Sequence, residues 1–164
     1  MKRTIVAHYH EINLKGNNRP WFENRLQQHV SSLLKDVKHE VIQRFGGRLL
    51  IGLAPDSPIE EISRRLRMVF GIANFAVAWE VEAELEAIQE GLKRLIAMTR
   101  FQSFKIDTRR GTKEFRLNSQ QLNQQLGAYV QGLTGARVAM ENPDAVFSVE
   151  LVRGRVFLSL EKIP

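Results

Sequence analysis

Residues 41–81, VIQRFGGRLLIGLAPDSPIEEISRRLRMVFGIANFAVAWEV, decide the fold. Two short apolar runs, 41–45 and 49–53, meet through Phe45-Gly46-Gly47-Arg48, where consecutive glycines supply the positive φ of a tight hairpin turn. Ser57-Pro58-Ile59-Glu60-Glu61 then opens a helix: Ser57 caps it, Pro58 suits the first helical position, and Glu60 completes the capping-box spacing. Ile62, Leu66, Val69 and Phe70 form its apolar face, Gly71 ends it, and residues 72–81 read as another strand.

Upstream, residues 4–9 are apolar and β-branched enough for a strand. The polar stretch EINLKGNNRP that follows, residues 11–20, reads as a loop. Pro20 fits the first turn of a helix with Asn18 as its cap, and Phe22, Leu26, Val30, Leu33 and Leu34 carry that helix to about residue 35. Strand, helix, strand, strand, helix, strand is the split βαβ order of ferredoxin-like folds. Downstream, a helix carries Leu85, Ile88, Leu92, Leu95 and Ile96 inward. A strand (103–108), a basic loop (109–116) and a polar helix (119–133) come next, the helix with Leu122, Leu126, Tyr129 and Val130 inward. A turn at Thr134-Gly135 and three short strands (137–140, 145–152, 156–160) close the chain. The expected architecture is α+β, with a ferredoxin-like βαββαβ domain over residues 1–82 packed against an α/β domain over residues 83–164.

Composition narrows the function. The 164 residues, 43% apolar and 26% charged, suffice for one large domain or two small ones with a buried core. There is no Cys, which removes thiolate nucleophiles, disulfides, thiolate zinc sites and persulfide chemistry on this chain. No apolar run approaches the roughly 18 residues of a membrane span, and MKRTIVAHYHEI is not a signal peptide, so a soluble cytoplasmic protein is expected. The net charge of +6 is shared evenly between the two halves, yet residues 100–116 hold six basic residues against Asp107 and Glu114.

No Walker loop, dinucleotide fingerprint or nucleophile elbow occurs, and the chain is expected to use no cofactor. His8 and His10 share one strand face, but no carboxylate or Cys set completes a metal site. Two basic segments remain. In the first, Lys15, Asn17, Asn18 and Arg19 precede a helix start, where free N–H groups and the dipole favour a phosphate. In the second, FKIDTRRGTKEFRLNSQQLNQQLG, a strand carrying Lys105 delivers Arg109, Arg110, Lys113 and Arg116 into a loop. That loop runs into a helix start with Asn118, Ser119 and Asn123. Guanidinium, ammonium and amide groups so mixed suit sugar-phosphate contacts. Phe115, alone in a strand-helix connection, fits the core better than it fits stacking on an unpaired base, which is the alternative reading.

At these two segments the sequence resembles the N-terminal part of the tRNA 4-thiouridine synthetases (tRNA sulfurtransferases), a ferredoxin-like domain followed by a THUMP domain. Glu11, Leu14, Lys15, Gly16, Asn18, Arg19 and Phe22 match the first motif, while His8 and His10 stand where the family usually has Arg and Gly. Phe104, Lys105, Arg109, Arg110, Lys113, Phe115, Ser119 and Gly127 match the second. So do Ala136-Arg137-Val138, Asn142-Pro143-Asp144 and the strand pair at 149–151 and 157–159. The resemblance implies a non-catalytic tRNA-binding module that offers the acceptor stem and 3′ end to an ATP-pyrophosphatase domain outside this chain. A protein-interaction or homodimerising module with a basic docking surface is the alternative. The two basic segments are expected to form one surface, and no membrane contact is expected.

Overall fold

The computed structural model describes residues 1–10, 18–111 and 115–160. It resolves into two compact units, Arg3–Val77 and Ala78–Glu161, the second also taking Met1 and Lys2. Strand β4 runs through the division.

The first unit has the element order β1 (Lys2–Tyr9), α1 (Asn18–Leu33), β2 (Ile42–Phe45), β3 (Arg48–Gly52), α2 (Ile59–Leu66) and the leading part of β4 (Ile72–Glu82). Its strands lie in the order β2-β3-β1-β4, with β3 antiparallel to both β1 and β2. Because side chains alternate along a strand, Ile5, Ala7 and Tyr9 of β1 share a face with Leu49 and Ile51 of β3. Leu26 and Val30 from α1, Leu34 just after it, and Ile62 and Leu66 from α2 close that face into one buried core. The hairpin turn falls at Gly46 and Gly47, both at positive φ (+55° and +79°).

Three local expectations are corrected. Ser57 does not cap α2: its hydroxyl accepts the Ala54 N–H (2.8 Å), and Pro58 is the cap residue without a side-chain hydrogen bond. The helix stops at Leu66, so the helical period lapses before Phe70, which is 96% exposed instead of inward. Asn18 is the first residue of α1, not a residue outside it, and α1 ends at Leu33.

The second unit continues from β4 through α3 (Leu85–Ile96), β5 (Ser103–Arg110), α4 (Ser119–Thr134), β6 (Arg137–Val138), β7 (Ala145–Val152) and β8 (Arg155–Ser159). Its strand order is β4-β8-β7-β5-β6. The β5/β7 and β5/β6 pairs are parallel, whereas β7/β8 and β4/β8 are antiparallel. Ile88, Leu92 and Leu95 of α3 and Leu122, Leu126 and Val130 of α4 cover Phe104, Phe147, Val149, Val156 and Leu158. Phe101, Phe104 and Phe147 meet edge to face, with centroids 5.3–6.3 Å apart, a geometry favoured by the ring quadrupole. Helix α3 approaches the sheet closely at Gly91, where a Cβ would sit 2.5 Å from Leu158 Cδ1 and 3.0 Å from Val81 Cγ1. Both units place helices over β-structure in the α+β class, and no described helix is long and apolar enough to cross a membrane.

Candidate nucleic-acid interface

Strand β5 extends two residues beyond the expected end, which changes the geometry of its arginines. Arg109 and Arg110 lie in the strand, in parallel register with Glu150 and Leu151 of β7, and the Gly111 N–H donates to the Leu151 carbonyl (2.7 Å). They are therefore not loop residues side by side. Alternation sends Phe104, Ile106, Thr108 and Arg110 to the face covered by α4, and Lys105, Asp107 and Arg109 to the opposite face.

The two neighbours consequently differ in environment. The Arg109 side chain is 57% exposed, and its Nε lies 3.9 Å from Asp107 Oδ2, a loose surface pair worth little. The Arg110 guanidinium turns inward, where Nη2 donates to the Phe115 carbonyl (3.1 Å). Among the described residues, Arg110 Nε, Thr108 Oγ1 and Asn123 Oδ1 are buried without a hydrogen-bond partner. Helix α4 packs on β5, so all three atoms belong to one helix-strand layer. Unpaired buried polar atoms cost about 1–3 kcal/mol each, and natural folds tolerate them mainly where function requires it.

After Phe115, which packs half-buried on the core, and exposed Arg116, Leu117 is buried and α4 begins. Phe115 and Arg116 also line a recess of about 310 Å³ with residues 83–86. Asn118 is the N-cap: its Oδ1 accepts the Gln121 N–H (2.8 Å), and Gln121 Oε1 accepts the Asn118 N–H (2.8 Å). This reciprocal box leaves the Ser119 and Gln120 N–H groups to acceptors outside the helix. Helix α4, SQQLNQQLGAYVQGLT, contains no charged residue, so nothing on it neutralises the positive end of its dipole.

In the first unit, Arg19 lies in the first turn of α1. Its Nε is 3.7 Å from Glu23 Oε1, and its guanidinium rests against Gly47, where any Cβ would collide with Nη2. Gly47 is thus required both for its φ and for this approach. The Tyr9 hydroxyl donates to Glu23 Oε2 (2.8 Å). Burial first, and then the Glu23 hydrogen bond, push the Tyr9 pKa far above its ordinary value. Tyr9 and Glu23 thus fix where Arg19 can reach. His8 Nδ1 lies 3.0 Å from Asn74 Oδ1, and among the described residues no group of His, Asp and Glu is arranged to hold a metal.

Of the residues expected at the interface, Arg110, Arg116, Asn118, Ser119 and Asn123 lie at the end of β5 and the start of α4, whereas Lys105 and Arg109 lie on the opposite face of β5, Lys105 near the beginning of the strand. Asn18 and Arg19 belong to the other unit. Lys15, Asn17 and Lys113 lie outside the described residues. Sequence reasoning missed the support from Tyr9 and Glu23. It also missed the exposure of Trp21, whose signal is its place outside the Phe22, Leu26, Val30 stripe.

A ferredoxin-like unit followed by a helix-covered, mixed parallel and antiparallel unit defines a two-domain class. Residues 4–76 match the ThiI ferredoxin-like domain and residues 82–161 the THUMP domain. Among curated relatives, the probable tRNA sulfurtransferase of Moorella thermoacetica is 35% identical over 92% of this chain and 38% of its own length. That of Thermus thermophilus is 33% identical over 98% of this chain and 39% of its own length. The crystal structure of PH1313 from Pyrococcus horikoshii superposes with a TM-score of 0.85 at 29% identity, covering 98% of this chain and 54% of that one. A 4-thiouridine synthetase–RNA complex with bound ATP gives a TM-score of 0.80 at 26% identity, covering 99% and 42%. The chain is thus built of a ThiI ferredoxin-like domain followed by a THUMP domain, and over that span it is similar to the tRNA sulfurtransferases. It spans about two-fifths of the length of those curated relatives.

Proposed function

We propose that this chain is a tRNA-binding module of the cytoplasm that holds the acceptor stem and 3′ end of a tRNA for 4-thiouridine synthesis by an ATP-pyrophosphatase domain outside residues 1–164. The observation that carries this reading is the start of α4. There an uncharged helix offers free N–H groups beside exposed Arg116 and close to the strand end that bears Arg109. Phosphates are drawn to such a positive end, while the exposed side-chain amides of Gln120 and Gln124 suit 2′-hydroxyls and unstacked base edges. The family relationship favours RNA as the polyanion, because a solved relative is a complex with RNA.

In this reading Lys15, Arg19, Lys105, Arg109, Lys113 and Arg116 supply charge. Asn18, Asn118, Ser119 and Asn123 shape the helix starts, and Arg110 positions the loop. The chain performs no sulfur transfer itself. Binding of tRNA with its 3′ tail is expected to be saturable and tighter than binding of trimmed tRNA. With four to six phosphates neutralised, log K falls against log salt with a slope of roughly −3 to −5. Equal affinity for tailed and trimmed tRNA would remove the 3′-end assignment, and 4-thiouridine formed by the isolated chain with ATP would remove the non-catalytic one.

A further inference from the structure

Two large aromatic side chains of the first unit have no cover: Trp21 is 64% exposed and Phe70 is 96% exposed. Burying either ring would gain roughly 1.5–3 kcal/mol, so their exposure calls for a reason. They flank one contact. Gly71 abuts α1 so closely that a Cβ there would lie 3.0 Å from Phe22 Cζ and 3.1 Å from Leu26 Cδ1. Phe70 directly precedes Gly71, and Trp21 directly precedes Phe22. The His10 N–H donates to the Gly71 carbonyl (3.2 Å). The chain therefore leaves β1 beside this contact and re-enters α1 at Asn18, three residues before Trp21.

The charge around the rings has one sign. Every exposed residue of α1 is neutral or basic, and its single carboxylate, Glu23, is half-buried and engaged by Tyr9. Arg25 is exposed, with its guanidinium 5.3 Å from the Trp21 ring centroid on one side. Arg67, exposed next to Met68, has no ion-pair partner among the described residues. No acidic residue occurs between Glu61 and Glu80. Stacking surfaces bordered by guanidinium groups and lacking carboxylates match the chemistry of an unpaired nucleotide, whose base offers a π-face and whose phosphate offers a charge.

We infer that Trp21 and Phe70, with Arg25 and Arg67, form a stacking site for unpaired nucleotides of the bound RNA. The site rests on the RNA-binding reading above and adds to it a contact on the first unit. Arg25 occupies one side of the Trp21 ring and the base takes the other, while Arg67 meets the backbone.

The parent chain is first titrated with tRNA and with a fully paired RNA duplex of similar length. In a Trp79→Phe variant, Trp21 is the sole tryptophan, and its emission is expected to quench on adding tRNA and to remain unchanged with the duplex. Trp21→Ala is expected to weaken tRNA binding about tenfold and Phe70→Ala several-fold, with duplex binding unaltered. Trp21→Phe should retain most of the affinity. Circular dichroism melts confirm that each variant is folded. If the parent binds tRNA and neither ring matters, the stacking site is wrong and the RNA-binding reading stands. If the parent binds no RNA, both fall. If the substitutions change the sedimentation of the chain alone and leave RNA affinity intact, the patch joins copies of the chain and the inference is overturned.

Discussion

The starts of α1 and α4 both offer basic and amide groups near a helix N-terminus, and they do so by opposite means. At α4 the polar groups are engaged internally. Asn118 and Gln121 close a capping box, and Arg110 holds the Phe115 carbonyl. At α1 the cation is braced from outside the helix: Arg19 rests on the Gly47 turn and is directed by Glu23 and Tyr9, while Trp21 remains in solvent. Substitutions at α4 should therefore act through the shape of the loop, and those at α1 through direct contact.

Arg109 and Arg110 give the largest and sharpest test of that contrast. Removing the Arg110 guanidinium deletes a charged hydrogen bond, worth about 1.5–3 kcal/mol, and frees the segment that leads into α4. Arg110→Ala is expected to lower tRNA affinity by ten- to a hundredfold with the salt slope nearly unchanged. Arg109→Ala, at an exposed position, should cost only a few-fold but reduce the slope by about one. Salt-series titrations of both variants decide between a positioning and a phosphate-contacting role. A slope that drops for Arg110→Ala and holds for Arg109→Ala would reverse the two assignments.

At α1 the corresponding break is Gly47→Ala. Forcing an L side chain to φ +79° costs on the order of 1–2 kcal/mol, and the added methyl displaces Arg19. A lower melting temperature together with weaker tRNA binding is expected. Arg19→Ala should weaken binding alike with little change in melting temperature. Unchanged RNA affinity in both would take Arg19 out of the interface.

Much of this fold was legible because local signals agreed. Residues 145–152 are bounded by Asn142-Pro143-Asp144 and Arg153-Gly154, and β7 begins and ends where those turns require. The order of the first six elements followed from Pro20, the Gly46-Gly47 turn and the period of Leu26 and Val30. Strand β5 was longer than expected because two adjacent arginines look like a loop, whereas pairing with Glu150 and Leu151 extends the ladder beneath them. Tertiary pairing of that kind has no local trace. Phe70 misled because its spacing from Leu66 suits a helix that has already ended. At the candidate site, residue types were legible and orientations were not: alternation separates Arg109 from Arg110 only once the strand is known to include both. The Asn118 cap is not read from the sequence, where its amide suits RNA, and only the pairing with Gln121 assigns its oxygen.

That dual reading of Asn118 sets a smaller test. Loss of the cap in Asn118→Ala should destabilise the chain by about 1 kcal/mol. Asn118→Asp keeps an acceptor for the Gln121 N–H and favours the helix dipole, so stability should be retained. The new charge stands where phosphate is proposed, and tRNA affinity should fall by a few-fold. Equal RNA binding by parent and Asn118→Asp would place the phosphate away from the start of α4.

The smallest effect belongs to a cluster that neither helix start uses, and it serves as a control. Glu61 on α2 accepts hydrogen bonds from Arg64 and Arg65, which hold its carboxyl down at about 2. Arg65 also bonds Asp36 (2.6 Å), whose pKa is likewise lowered. A carboxylate with a depressed folded pKa adds stability that is fully present above its unfolded value, near 4.5, and is lost as pH falls towards 2. The groups are solvent-exposed, so screening keeps the gain small. Thermal melts should thus show a gentle loss of stability between pH 4.5 and 2 that Glu61→Gln flattens. Binding of tRNA at neutral pH should be the same in parent and variant, because Arg65 keeps its pairing with Asp36 and α2 carries none of the proposed RNA contacts. A marked loss of RNA affinity in Glu61→Gln would extend the interface onto α2 and erase the division of labour between the two helix starts.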